Sequence, residues 1–170
     1  MNPVADFVIS RTFDAPRSLV WDVWTKSEHL QHWFGPKGFT AKATIMDFRP
    51  GGMYRYCLAS PEGAELWGRC VYREIVKPEK IVFINSFSDP QGGITRHPFS
   101  ADPWPLEMLA TYEFTEAEGK TTVTIRWVPY NSTPEEIATF EAGRAGMTQG
   151  WTGTMDRCTE FMAAFAGVKS

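Results

Sequence analysis

The chain has 170 residues, 43% hydrophobic and 22% charged, the proportions of one globular domain long enough for a well-buried core. Its net charge is −3, and its 17 Lys and Arg are scattered without a basic run, which gives no electrostatic footprint for nucleic acid. No apolar run approaches a membrane span. The cysteines, Cys57, Cys70 and Cys158, are odd in number, far apart and without C-x-x-C spacing. They read as reduced core residues, neither a disulfide framework nor a zinc site. The start of the chain lacks a basic segment followed by an apolar one, so the expected location is cytoplasmic.

In chain order, Phe7–Phe13 alternates as a first strand with Phe7, Ile9, Arg11 and Phe13 on one side. Asp14-Ala15-Pro16 stops it and starts a helix that gathers Leu19, Val20, Val23 and Trp24 on one face. Ser27 is the expected cap of a second short helix, Glu28–His32, ending at Trp33-Phe34-Gly35-Pro36. Strands then follow at Thr40–Phe48, Met53–Leu58, Glu65–Val76 and Ile81–Phe87, separated by turns at 49–52, 60–63 and 77–79. Short connections make antiparallel neighbours. In Met53–Leu58 the inward set is either Met53, Arg55 and Cys57 or Tyr54, Tyr56 and Leu58; alternation alone leaves both open. Asp89–Pro105 holds Gly92-Gly93 and four prolines, with Phe99 and Trp104 among them; a loop this long in a compact domain is usually functional or mobile. Strands at Leu106–Thr115 and Thr121–Val128 complete the sheet.

The last stretch, Thr133–Phe165, opens with Thr133-Pro134-Glu135-Glu136, an N-cap, a proline at the first helical position and a glutamate placed for a capping box. Phe140, Met147, Trp151, Met155, Cys158, Met162 and Phe165 recur at helical spacing. Beside them runs a second stripe, Gly143, Gly146, Gly150 and Gly153, each costing about 1 kcal/mol in a helix interior. These glycines are expected toward the sheet or the rim of a cavity, with a helix break at Gly143 or Gly146 as the simpler alternative. One long helix must cover the apolar face of a curled antiparallel sheet, with two small helices plugging one end. The expected fold class is α+β: one domain, residues 1–170, with a curved sheet of six to seven strands around a long C-terminal helix.

Several separated motifs carry a resemblance. Asp14-Ala15-Pro16-Arg17, Val20-Trp21, Trp24, Glu28-His29-Leu30, Trp33 and Gly35-Pro36 are followed by Arg49-Pro50-Gly51-Gly52, Gly68 and Pro78–Phe83. Gly119–Thr124, Met147, Gly150-Trp151 and Met155-Asp156-Arg157 come after them. In this order they resemble the heat-shock-protein-90 ATPase-activator-homologue-like group of the SRPBCC (START-related, helix-grip) superfamily, over about Phe7–Phe165. The resemblance implies a helix-grip fold and a hydrophobic cavity for a small ligand. It also implies a homodimer as an expected partner state, through an edge strand or the proline-rich loop. The chaperone-activating role belongs to larger relatives with a further domain. The Asp89–Pro105 loop departs from the plainest pattern and is expected to set ligand choice.

The expected ligand-lining residues are Trp33, Phe34, Tyr54, Trp67, Trp104, Met108, Trp127, Met147, Trp151 and Met155, because Trp offers apolar area with a polar handle and Met an adaptable wall. Arg144, on the flank of the apolar face, is a candidate contact for an acidic group. The leading expectation is a binder of a small hydrophobic or aromatic molecule. The alternatives are a polyketide cyclase- or hydrolase-like enzyme using the same cavity and a chaperone-interacting module. For catalysis the inward polar candidates are Arg55, Arg69, Arg96, His97 and Asp102; no G-x-S-x-G, Walker or G-x-G-x-x-G pattern is present, and no catalytic residue is assigned. His29 and His32 stand three apart on a short helix, but no familiar ligand spacing completes a set, so no metal and no cofactor is expected.

Overall fold

The computed structural model describes residues 6–35, 38–97 and 101–168, with their side chains except at 43–44 and 165–168. Pro36, Phe99 and the Phe165 ring therefore lie outside the described residues. The strands are β1 (Phe7–Phe13), β2 (Thr40–Met46), β3 (Met53–Ala59), β4 (Glu65–Val76), β5 (Lys80–Phe87), β6 (Glu107–Ala117) and β7 (Lys120–Tyr130). The helices are α1 (Arg17–Thr25), α2 (Ser27–Trp33), α3 (Pro134–Ala142) and α4 (Arg144–Val168). All seven strands form one antiparallel sheet in the order β1-β7-β6-β5-β4-β3-β2. β2 to β7 follow one another as a meander, and β1 pairs with β7 through Phe7 opposite Trp127 and Phe13 opposite Thr121. The sheet curls into a half-barrel against the C-terminal helix, which is the helix-grip arrangement.

One face of the sheet is apolar and turned toward α4. On β6, Met108, Ala110, Tyr112 and Phe114 are buried in alternation; on β7, Thr121, Val123 and Ile125 are. β3 resolves the ambiguity of its sequence: Tyr54, Tyr56 and Leu58 point inward and are buried, facing Cys70, Gly68 and Leu66 across the ladder. Met53 and Arg55 fall on the other face, where Cys57 is also buried. α1 and α2 close one end with Trp21, Trp24 and Trp33. The Trp33 indole donates to the Val23 carbonyl at 3.1 Å, which satisfies the one polar atom of a ring with no exposure.

Two expectations need correction, and the alternative of a helix break is borne out. The final stretch is two helices, because the chain breaks at Gly143, whose φ of −90° and ψ of 4° leave the helical register. A Cβ there would lie 3.0 Å from the Trp104 ring, so the break is also where Trp104 docks. Ser27 is the first residue of α2 and makes no side-chain cap; the N-cap is Lys26. β2 ends at Met46, two residues before Phe48, after a register shift between Ala43 and Ile45. The capping box at Thr133 forms as expected: Glu136 N–H donates to Thr133 Oγ1 at 3.2 Å, and Thr133 N–H donates to Glu136 Oε1 at 2.9 Å.

Candidate functional site

Between α4 and the inner face of the sheet lies a cavity of about 450 Å³, within the range of small-molecule sites. It exists because the wall contributed by α4 is thin. Gly143, Gly146 and Gly150 border it beside Met147, Trp151 and Thr154. A Cβ on Gly146 or Gly150 would meet nothing within 4 Å. Both are exposed, which puts them at the rim. Gly153 faces equally open space but does not border the cavity. The sheet supplies the floor, from Tyr56 and Leu58 on β3 to Trp127 on β7.

Of the expected lining residues, Phe34, Trp67, Trp104, Met108, Trp127, Met147 and Trp151 border this space. Trp67 lies opposite in alternation to the inward Leu66 and Gly68, so it borders the cavity at the end of β4 rather than from its inner face. Trp33, Tyr54 and Met155 do not line it. Trp33 and Met155 have no exposed surface and complete the core under the helix plug, and Tyr54 lies beside a separate void of about 30 Å³. The aromatic wall interlocks: Trp127 meets Trp151 edge-on at 5.6 Å, Phe34 meets Tyr56 at 5.4 Å, and Trp151 stacks on Trp24 at 6.3 Å.

The polar candidates disperse. Arg55 and Arg69 are cross-strand partners on the outer face, where Arg69 donates to the Gly92 carbonyl at 2.7 Å. Arg96 pairs with Glu136 at the start of α3, and Asp102 is exposed. Arg144 grips Glu141 through two bonds of 3.0 and 2.7 Å and lies over the Phe140 ring, at the helix junction and not in the cavity. His29 and His32 both pack on Phe161, and no cluster of three metal-ligating side chains occurs among the described residues. Only His97 of this group borders the cavity, 4.5 Å from the Phe87 ring, and burial lowers its pKa.

Sequence reasoning passed over the polar part of the floor. Asn85, on β5, donates to Tyr56 Oη at 3.3 Å and to the Arg69 carbonyl at 3.1 Å, and touches Cys70 Sγ at 3.6 Å. The signal was available, since Ile81, Phe83, Asn85 and Phe87 share one side of the strand, and a lone amide on an apolar face needs a reason. Burial pushes the Cys70 thiol up to about 12 and raises the Tyr56 hydroxyl further, so both stay protonated. Among the described residues lining the cavity there is no Asp, Glu, Lys or Arg. The site is an apolar, ring-walled chamber with a neutral hydrogen-bonding spot on its floor.

The sequence matches the model of the family described as activator of Hsp90 ATPase homolog 1-like protein over residues 14–163. Comparison with curated proteins finds no match. Among solved structures, that of a Mycobacterium smegmatis protein superposes with a TM-score of 0.72 at 23% identity, covering 92% of this chain and 90% of that one. A Nitrosomonas europaea protein gives 0.73 at 21% identity, covering 98% and 99%. The AHSA1 protein of Silicibacter pomeroyi gives 0.70 at 16%, covering 94% and 99%. At such identities these structures speak for the fold, and the match to the family model speaks for descent. With that match running from the turn before α1 into the last turns of α4, the chain belongs to the activator of Hsp90 ATPase homolog 1-like family.

Proposed function

We propose that the protein binds a small apolar or aromatic molecule in the space between α4 and the sheet. The observation that carries this reading is the pairing of a roughly 450 Å³ ring-walled cavity with helical glycines at its rim whose Cβ positions are empty. A helix built only for stability would fill those positions, since each glycine costs about 1 kcal/mol relative to alanine. Apolar burial, at roughly 25 cal/mol per Å², supplies the driving force.

The catalytic alternative has less support. No carboxylate, Lys or Arg side chain is among the described lining residues, the lining thiol is held protonated by burial, and of the catalytic candidates His97 alone borders the cavity, with its pKa lowered by burial. The chaperone-interacting alternative asks for a contiguous exposed apolar patch. Among the described residues the large exposed apolar side chains, Val8, Ile45, Val76, Ile94 and Leu106, are instead spread over β1, β2, the end of β4 and the loop segments before β6.

Gly150→Leu is the decisive variant, because its side chain enters open space at the rim. It is expected to raise the melting temperature, adding about 1 kcal/mol of helix stability, and to abolish the thermal shifts that apolar ligands produce in the wild type. A screen in which no apolar or aromatic compound shifts the wild type, or in which Gly150→Leu responds as strongly, defeats the reading.

A further inference from the structure

The chemistry of the cavity floor narrows the ligand, on the reading that the cavity binds one. Arg69 O is a backbone carbonyl and can only accept, so the Asn85 amide nitrogen must face it, as its 3.1 Å bond shows. The amide orientation is thereby fixed, and Asn85 Oδ1 is left pointing elsewhere. Among the described residues Oδ1 accepts no hydrogen bond, and it is not one of the buried side-chain atoms closed off without a partner. Asn85 therefore presents a free acceptor to the cavity it lines. Beside it, Tyr56 Oη accepts from the Asn85 amide and still has its own proton to give. A donor and an acceptor thus stand next to each other on a mostly apolar floor. Tyr112 brings a second phenol to the same lining, whereas Ser86 Oγ and Trp127 Nε1 are sealed by their surroundings and offer a ligand nothing.

The two groups together suit a ligand group that both accepts and donates, and a hydroxyl is the smallest such group. A hydroxyl accepts through its oxygen and donates through its hydrogen, so one hydroxyl satisfies both Tyr56 and Asn85. A carboxylate offers only acceptors and brings a charge that no Lys or Arg of the described lining counters, His97 being held toward its neutral form by burial, and burying an unpaired ion is costly. A pure hydrocarbon leaves the Asn85 oxygen without a partner. We propose that the ligand is an uncharged aromatic molecule bearing a hydroxyl, of phenol or fused-ring phenol type, with that hydroxyl seated between Tyr56 Oη and Asn85 Oδ1.

Calorimetric titration at pH 7 with naphthalene, 2-naphthol and 2-naphthoate tests this, because the ring is constant and only the polar group changes. The wild type is expected to bind 2-naphthol about tenfold more tightly than naphthalene, the worth of two modest net hydrogen bonds, and to bind 2-naphthoate least. Tyr56→Phe keeps the ring, and Asn85→Leu removes the amide. Each is expected to cut the naphthol advantage, the ratio of the 2-naphthol and naphthalene affinities in the same variant, to about threefold or less. If naphthalene binds as well as 2-naphthol, or 2-naphthoate binds best, the hydroxyl assignment is wrong and the cavity reading survives. The hydroxyl assignment is equally wrong if Tyr56→Phe keeps the full naphthol advantage. If none of the three binds, both fall.

Discussion

Position 68 shows how one missing side chain shapes the site. Gly68 faces Tyr56 across the β3–β4 ladder, and a Cβ there would lie 2.5 Å from the Tyr56 ring and hydroxyl. The Tyr56 ring therefore lies down over the sheet, which brings its hydroxyl to Asn85. Gly68→Ala is expected to lower stability by about 1–3 kcal/mol through overpacking. Gly153→Ala, whose Cβ enters open space, is expected to raise it by about 1 kcal/mol. Urea midpoints of the two variants check the contrast, and equal midpoints would show that Tyr56 yields freely. Gly68 was legible in the sequence as a motif residue, but its role was not. The strand pattern from Met53 to Leu58 permits either face inward, and only the cross-strand register puts a tyrosine above that glycine.

At the scale of elements, the junction of the long loop with α3 ties the cavity mouth to a helix N-terminus. Trp104 packs on Phe140 at 6.0 Å, and Arg96 reaches Glu136, whose side chain is about 5% exposed. Burial alone would push the Glu136 carboxyl up, but bonds from Thr133 N–H and the Arg96 guanidinium outweigh it and hold the pKa below its ordinary value. The folded state therefore binds this proton less readily than the unfolded chain does. The resulting stability is present above the unfolded value near 4.5 and is lost as pH falls through the lower folded value. Arg96→Ala is expected to raise the Glu136 pKa and move the onset of acid unfolding to higher pH. Melting temperatures from pH 3 to 7 read the shift directly, and superimposable profiles would show that Arg96 contributes nothing. The capping box was legible from Thr-Pro-Glu-Glu, because it is local. The Arg96 partner was not, because 40 residues separate the pair.

Over the whole molecule, α4 is clasped to the opposite end of the half-barrel by Arg157. Its guanidinium donates to the carbonyls of Gly35 at 3.0 Å, His32 at 3.1 Å and Phe39 at 2.9 Å. Thr154 adds a bond to Gly35 O at 3.2 Å. One side chain thus gathers the end of α2 and the approach to β2, next to the residues Gly35 and Thr154 that border the cavity. Arg157→Ala leaves these carbonyls without their charged donor and is expected to cost about 2 kcal/mol. Chemical denaturation measures it, and Arg157→Lys, a point charge without the planar fork, is expected to recover only part. An unchanged midpoint in Arg157→Ala would mean that water replaces the clasp.

Several features follow from the sequence alone. Alternation and short turns specify the antiparallel strands, and helical spacing marks Met147, Trp151, Met155, Cys158 and Met162 as one face of the C-terminal helix. The separated motifs identify the family. These properties are local or periodic, so neighbouring residues suffice to express them. Other features had to wait for the tertiary structure: which face of β3 turns inward, where the last helix breaks, and which aromatic rings line space rather than fill it. Trp33 and Trp151 are the same residue type on helical faces. One is locked under the helix plug by its bond to Val23, and the other borders the cavity because Gly150 beside it contributes no volume. That difference depends on the distance between two layers, and packing across the whole sheet sets it.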